Sequence, residues 1–197
     1  MQSAPEEQGY IPQVNAPDPQ RMLQGIRLFL EGLGVPPDAP HLRETPERVA
    51  ACWQEDLLDG YRYDPAQLLA DHFPAQDGGL IVVRDIRFHG ICPHHLLPFF
   101  GVAHLAYLPK HRIVGFSQLG LLVRCLTHRL TLQELATHQI AHALLEHLDA
   151  LGSACVMHTT QLCMNLRTAE HAHSSVTTTC FLGSLRDHLP YQQQLLR

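Results

Sequence analysis

The chain has 197 residues, of which 45% are apolar and 17% charged, and its formal net charge is −5. This length fits one domain, and the apolar content supports a sizeable core and excludes wholesale disorder. The chain has a single lysine (Lys110) and no run of basic residues, which argues against a surface that binds nucleic-acid phosphates. No apolar stretch approaches the roughly 20 residues of a membrane span.

The N-terminal part divides into a tail and a helical region. Residues 1–17 are polar, contain several prolines and show no secretory signal pattern, so they are predicted to be a flexible tail of a cytoplasmic protein. Residues 18–70 are predicted to be helical. Capping side chains stand directly before proline at Asp18, Thr45 and Asp64, and each such pair indicates the start of a helix.

Residues 80–183 are predicted to be the core of a domain that extends over 18–197. Their patterns indicate strands at 80–88 and 99–108, helices at 117–129 and 132–148, strands at 152–160 and 175–182, and a last helix from about 184. Ser117 and Thr131 are the predicted caps of the two central helices. Because two strand pairs have links too short for parallel crossovers, the order predicts an α+β fold with an antiparallel sheet.

Cysteine and histidine are unusually frequent, with six and 15 residues. Cys92 and His95 lie three residues apart in a turn that contains Pro93, so both can bind one metal ion. Cys163, which follows a predicted strand, is the best candidate for a third ligand. Three protein ligands leave one position for water, as in catalytic zinc sites. The alternative is that these cysteines are buried and inert.

Two histidine pairs compete with this set. His138 and His142 share one face of a predicted helix, and His171 and His173 lie in a predicted loop. Neither pair has the accompanying glutamate of a metalloprotease helix motif. Both pairs are therefore interpreted as solvated side chains.

The strongest motif is Cys92-Pro93-His94-His95-Leu96-Leu97-Pro98-Phe99-Phe100-Gly101. It resembles GTP cyclohydrolase I, and the resemblance covers about residues 20–185 in order. Further matching segments are 42–50, 115–117, 129–134 and 163–164. The resemblance implies a tunnelling fold, in which helices pack on one face of a small antiparallel sheet. It also implies a ring-shaped homodecamer with active sites at subunit boundaries.

The resemblance also implies roles for individual residues. By position, Cys92, His95 and Cys163 match the family's three zinc ligands, and zinc there would activate water for attack on C8 of a purine. His94 matches the family's acid/base histidine beside the metal.

Two further residues match the family's contacts to guanine. Gln133 and Glu134 correspond to the residues that hold the guanine edge, where a carboxylate can accept from N–H donors. For Glu134 a structural alternative stays open, since it lies three residues after Thr131, at the spacing of a capping box.

The departures from the family concentrate around the substrate. Ser117 and Arg167 keep the family residues, but Gln118 stands where the family has lysine and Leu121 where it has arginine, and both missing cations look like triphosphate contacts. The family also has glutamate where this chain has Pro93, and glycine where it has Thr168. The last change affects the catalytic set, because Gln161 replaces a histidine and an amide cannot shuttle a proton near neutral pH.

Three functions follow as hypotheses. The first is a zinc-dependent hydrolase that opens the imidazole ring of a guanine-like purine at C8, on a base or nucleoside that lacks the triphosphate. The second is an ordinary GTP cyclohydrolase I that makes 7,8-dihydroneopterin triphosphate for folate or pterin synthesis. The third is a non-catalytic oligomer that binds zinc or a pterin. The sequence names neither the purine nor the product.

Overall fold

Helices precede and follow a central sheet in this protein. The computed structural model describes residues 17–36, 39–76, 78–167 and 169–196, so the predicted tail lies outside it except for residue 17. The elements of the described residues are α1 (Pro19–Gly32), α2 (Thr45–Cys52), α3 (Pro65–Leu68), β1 (His72–Pro74), β2 (Ile81–Ile91), β3 (Pro98–Leu108), β4 (Arg112–Val114), α4 (Phe116–Thr127), α5 (Gln133–His147), β5 (Gly152–Gln161), α6 (Leu162–Asn165), β6 (Val176–Gly183) and α7 (Leu189–Leu196).

Two of the three predicted N-terminal caps are confirmed. The Asp18 carboxylate accepts from the first turn of α1, and Asp64 accepts from the backbone nitrogen of Ala66 at 2.8 Å. At α2 the prediction is wrong, because Glu44 is the N-cap and no side chain caps the helix. The helix predicted to start at Thr45 is α-helical only to Cys52, and the chain continues as a π-helical turn and a 3₁₀ turn.

The main sheet has four antiparallel strands in the order β2-β3-β5-β6, which confirms the α+β prediction. β2 is longer than predicted, since Gly90 and Ile91 pair with Phe99 and Pro98. The link between β2 and β3 therefore begins only at Cys92. The short strands β1 and β4, which the sequence analysis missed, form a separate two-stranded sheet.

Two long helices cover one face of the main sheet. The core between them and the sheet contains Leu119, Leu122, Val123 and Leu126 of α4, Ala136, Ile140, Ala141 and Leu144 of α5, and Ala103, Leu105, Tyr107, Cys155 and Met157 of the strands. α4 begins after Gly115 and α5 after Leu132, and neither has a side-chain cap. The predicted caps Ser117 and Thr131 are therefore wrong.

The other face of the sheet is partly covered by the C-terminal segment. Leu185 and Leu195 pack there against Ala106, Ala154 and Val156. The last helix begins at Leu189 instead of about 184, because the chain first turns after Gly183, which adopts a φ of 57°. The resemblance placed helices on one face only, and α7 is an exception to that expectation. No helix of the described residues is long and apolar enough to cross a membrane.

One end of the main sheet gathers the segments that carry the motif residues. β2 ends there at Ile91 opposite Pro98, and β5 ends at Gln161 opposite Phe99. The strand between them, β3, begins at this same end. The residues after β2 and after β5 are therefore brought close although they are far apart in sequence.

Candidate metal centre and adjoining cleft

A tight turn follows β2 and carries the first two candidate ligands. The backbone nitrogen of Cys92 donates to the carbonyl of Leu97, and that of Leu96 donates to the carbonyl of Cys92, both at 2.9 Å. Leu96 adopts a φ of 54°, in the left-handed region, which closes the turn. Cys92 is buried and His95 is exposed.

The third candidate ligand, Cys163, lies in α6, directly after β5. One donor atom from each of Cys92, His95 and Cys163 lies within 4.8 Å of the other two. Two thiols and an imidazole are donors that zinc prefers, so this set fits that ion. Within the described ranges no second group of three donors meets this criterion, and the competing histidine pairs do not form one.

Without a bound cation, the surroundings of these three residues favour the neutral Cys163 thiol. Burial, with the neighbouring Cys92 thiol, raises the pKa of the Cys163 thiol, and the positive charge of Arg167 partly offsets this. The Arg167 guanidinium donates to Nε2 of His95 at 2.6 Å. Because two adjacent thiols do not ionise readily together, a bound cation is what stabilises them as thiolates.

A cleft of about 390 Å³ opens beside this trio. Its volume lies in the range of small-molecule sites. The lining residues are Cys92, His94, Phe99, Thr131, Leu132, Gln133, Glu134, Gln161, Cys163, Met164 and Val176. Six of the predicted site residues outside the phosphate set therefore line the same cleft: Cys92, His94, Gln133, Glu134, Gln161 and Cys163.

Gln133 is almost fully buried, with 2% of its surface exposed. Its amide nitrogen donates to the carbonyls of Met157 and Val176, both at 3.2 Å. Its amide oxygen accepts from Thr159 at 2.6 Å and from Gln161 at 2.8 Å. All four hydrogen-bonding positions of this amide are thus used inside the chain, and the predicted direct contact of Gln133 with a purine stays a prediction.

Glu134 has a different environment in the first turn of α5. It is exposed, and no group of the described residues hydrogen-bonds to its carboxylate. Because the helix starts one residue later than predicted and Thr131 does not cap it, the capping-box alternative fails. The hydroxyl of Thr131 instead donates to the carbonyl of Leu132 at 3.3 Å. The Glu134 carboxylate is therefore free to accept hydrogen bonds from a ligand.

His94 is exposed and lines the cleft. Its ring lies 6.4 Å from that of His95, centroid to centroid, and the two planes are nearly perpendicular at 87°. A titratable imidazole thus lies beside the metal-ligand candidates without belonging to their set. This is the placement that a general acid or base needs.

Of the predicted phosphate contacts, Arg167 lies beside His95, whereas Ser117 and Gln118 lie elsewhere. The residues after α4 hydrogen-bond to Ile91, beside the metal turn, through Arg129 and Thr131. A helix of 12 residues is about 18 Å long, so Ser117 and Gln118, in its first turn, lie at the far end. Neither residue lines the cleft of its own chain. Thr168 lies outside the described residues.

Sequence reasoning missed several lining residues and one supporting residue. Thr131, Leu132, Met164 and Val176 line the cleft, and the first three flank predicted site residues, which was an available signal. Thr159 binds both glutamines without lining the cleft itself. Its position two residues before Gln161 places both side chains on one face of β5.

A second polar cluster, also missed, fixes the N-terminal region to α4. The buried Asp59 carboxylate binds Arg124 and accepts from Nδ1 of His128 at 2.8 Å. Burial alone would raise the pKa of Asp59, but these hydrogen bonds outweigh it and lower that pKa. Burial, with the ring of His89 stacked at 3.7 Å, lowers the pKa of His128.

Comparison with known proteins gives one consistent result. The sequence model of the family described as GTP cyclohydrolase I matches residues 22–197. A GTP cyclohydrolase 1 of Ralstonia nicotianae is 39% identical over 187 residues, which cover 95% of this chain and 90% of the relative. That of Chromobacterium violaceum is 40% identical over 190 residues, which cover 90% of this chain and 92% of the relative.

A solved structure, archaeosine synthase QueF-Like in the apo form, aligns with a TM-score of 0.47 at 11% identity, covering 55% of this chain and 98% of that one. This likeness is too low to support an argument. The family match and the two relatives span nearly the whole chain, including the metal turn, the cleft and α4. On that evidence, the chain belongs to the GTP cyclohydrolase I family and is a hydrolase of that type.

Proposed function

We propose that this protein is a zinc-dependent cyclohydrolase that opens the imidazole ring of GTP at C8 and makes 7,8-dihydroneopterin triphosphate. The observation that carries the proposal is the convergence of Cys92, His95 and Cys163 beside a cleft that also contains a free carboxylate and a free imidazole. The names of the relatives supply the substrate.

The trio is proposed to hold Zn²⁺. When bound there, zinc supplies Lewis-acid activation of a water molecule near neutral pH. The chain contributes the geometry, because the turn after β2 and the start of α6 hold the ligands at the end of the sheet. Arg167, bonded to His95, restrains that imidazole from outside the trio.

His94 is proposed to move the proton. It lines the cleft and lies next to His95 in sequence, and an imidazole can both donate and accept a proton. An imidazole in this position can protonate a ring nitrogen next to C8 as the carbon–nitrogen bond breaks. A carbon–nitrogen bond breaks more easily when the leaving nitrogen receives a proton.

Glu134 is proposed to accept hydrogen bonds from the N–H groups of the guanine edge. Gln133 supports it from the neighbouring position, where its four internal hydrogen bonds fix the start of α5 against β5 and β6. Gln133 is thus assigned a positioning role in holding the purine.

The residues that contact the triphosphate are proposed to come partly from a neighbouring subunit. Ser117 and Gln118 lie at the end of α4 far from the cleft of their own chain, so they are available to a cleft on another chain. This arrangement is what the ring-shaped homodecamer of the resemblance requires, with the site at a subunit boundary. Arg167 lies beside His95, at the edge of the three candidate ligands. It is the proposed phosphate contact from the chain that carries the cleft.

A second candidate is a purine base or nucleoside without the triphosphate. The observation that favours it is the uncharged pair Gln118 and Leu121, which stand where the family has two cations. Charge-assisted hydrogen bonds contribute about 1.5–3 kcal/mol each, so losing two weakens triphosphate binding about a hundredfold or more.

The deciding experiment compares substrates on zinc-loaded protein. GTP, guanosine, guanine and oxidised guanines are incubated at equal concentration, and products are followed by absorbance and mass. Conversion of GTP to dihydroneopterin triphosphate at the highest kcat/KM supports the first candidate. Higher kcat/KM on a base or nucleoside supports the second, and no turnover of any purine contradicts both.

A matched variant tests the phosphate argument separately. The double substitution Gln118→Lys with Leu121→Arg restores both cations. If the uncharged residues limit triphosphate capture, KM for GTP falls at least about tenfold, while the constants for guanosine stay within about twofold. An unchanged KM for GTP means that other cations already supply the charge.

A further inference from the structure

Gln161 ends β5 two residues before Cys163, and it lines the cleft. Its amide nitrogen donates to Gln133 at 2.8 Å and to Thr159 at 3.2 Å. No described group donates to its amide oxygen, and this oxygen is not among the buried unpartnered side-chain atoms of the described residues. The oxygen is therefore accessible and has its hydrogen-bonding capacity free.

The orientation of this amide is set by a chain of contacts. The carbonyls of Met157 and Val176 accept from the Gln133 side chain, so the atom that faces them has to be its nitrogen. The Gln133 oxygen then lies on the other side, where Gln161 meets it. Two carbonyl oxygens in contact would repel, so Gln161 turns its nitrogen inward and keeps its oxygen for the cleft.

We propose that Gln161 is a specificity-determining residue: its amide oxygen accepts a hydrogen bond from a donor on the substrate, beside the candidate ligands Cys92, His95 and Cys163. Gln133 is the positioning residue, because it keeps the amide nitrogen of Gln161 turned inward and its oxygen turned toward the cleft. The inference rests on the proposed function, because it takes the ligand in the cleft to be a guanine derivative with C8 near the trio.

The chemistry of the ligand leaves two sources for such a donor. Beside C8 of an ordinary guanine nucleotide, N7 is an acceptor and N9 carries the sugar, so neither offers a hydrogen. A donor is available from a sugar hydroxyl, or from the N7–H that is present when C8 is oxidised. The imidazole of histidine at this position can donate or accept according to its tautomer, whereas this oriented amide accepts only.

The test measures binding of three ligands to zinc-loaded protein. GTP carries the sugar hydroxyls, its 2′,3′-dideoxy form lacks them, and its 8-oxo form adds N7–H. All proteins carry His94→Ala so that the ligand is consumed slowly, and mass spectrometry checks that it stays intact. Gln161→Met removes the acceptor at similar size, and Gln161→Ala serves if the first variant does not fold.

Thr159→Val is the matched control. It removes one contact of the same network, but Thr159 does not line the cleft. We expect Gln161→Met to raise Kd about 3- to 10-fold for a ligand that offers the donor, the effect of one neutral hydrogen bond, and to leave the other ligands unchanged. Thr159→Val should preserve the ranking of the three ligands.

Each outcome decides between the sources or against the inference. A loss for GTP but not for its dideoxy form assigns the donor to the sugar, and a larger loss for the 8-oxo form assigns it to the ring. Equal changes for all three ligands, or none, overturn the role of Gln161 while leaving the proposed function in place. If the native site binds none of the three, both proposals fall.

Discussion

The main sheet brings two pairs of cysteines close together, and the two pairs have opposite surroundings. Cys92 and Cys163 follow β2 and β5 at the end of the sheet, beside His95 and an open cleft. Cys155 and Cys180 face each other in the middle of β5 and β6, buried in the core. Burial raises the pKa of Cys155 well above its usual value and that of Cys180 to about 11.

A pair of thiols can form a metal site only when a third donor lies close to it and the site is open to solvent. Cys180 has a histidine partner, since its sulfur lies 3.4 Å from Nδ1 of His138. However, Cys155, Cys180 and His138 do not come close enough together to form a group of three donors. The interior pair is therefore interpreted as packing, and the end pair as ligands.

The largest expected effect comes from removing one cysteine from each pair. Cys163→Ala should lose most of its zinc and nearly all activity, because a trio reduced to two donors binds zinc poorly. Cys180→Ala is the matched control and should keep one zinc per chain. Metal analysis after dialysis measures both, and full zinc in the Cys163 variant would show that Cys163 is not an essential ligand.

His94→Ala separates chemistry from metal binding at the same corner. We expect turnover to fall about 10²- to 10⁴-fold, the usual loss for a general acid or base, while zinc content stays at one per chain. Steady-state kinetics and metal analysis on the same sample give both numbers. A parallel loss of zinc would place His94 among the ligands instead.

Cys155→Ser tests whether the interior pair serves packing. A hydroxyl at this fully buried position, where the thiol has no hydrogen-bond partner among the described residues, should lower the free energy of unfolding by about 1–3 kcal/mol. Zinc content should not change. Cys52→Ser, at an exposed position, should change stability by less than about 0.5 kcal/mol. Thermal unfolding compares the two, and equal Tm values would contradict the packing interpretation.

The smallest expected effect is on the pH dependence of stability. It arises in the polar cluster of Asp59, Arg124, His89 and His128. Because the pKa of His128 is lower in the folded state, the unfolded chain takes up its proton first as the pH falls below about 6.5. The contribution of neutral His128 to the free energy of unfolding is thus fully present above that pH. It is lost as the pH falls toward the lower pKa of the folded state. The lowered pKa of Asp59 acts only at more acidic pH, below about 4.

His128→Asn keeps a donor for Asp59 but does not titrate. Between pH 7.5 and 5.5 the native protein should lose about 0.5 kcal/mol more than this variant, or about 1–2 °C in Tm. His104, whose pKa burial also lowers, is common to both proteins and cancels. Identical pH profiles of Tm would show that His128 does not couple folding to protons.

Local patterns predicted much of this molecule. The Ile and Val content and the alternation of apolar residues located the four main strands to within about three residues. The spacing of Cys92 and His95 identified the turn that carries two of the candidate ligands. Short-range signals were enough there because strand faces and tight turns depend on neighbouring residues.

Long-range contacts explain what was not predicted. β1 and β4 have three residues each and exist only by pairing with each other. The Asp59 cluster joins segments far apart in the chain, and the orientation of the Gln161 amide depends on Gln133 and on backbone carbonyls of β5 and β6. No window of sequence contains these relations. The missed helix caps have a different cause, since Ser117 and Thr131 lie one or two residues from the true helix starts.

The positions of Cys92, His95 and Cys163 in the chain have a consequence for stability. An ion bound to these three residues would close, through its metal–ligand bonds, a loop of chain that contains β3, β4, α4, α5 and β5. Closing so long a loop removes conformational entropy from the unfolded chain, much as a disulfide does. An ion held by these three residues would therefore act as a reversible crosslink between the ends of β2 and β5, and part of its binding energy would be folding energy.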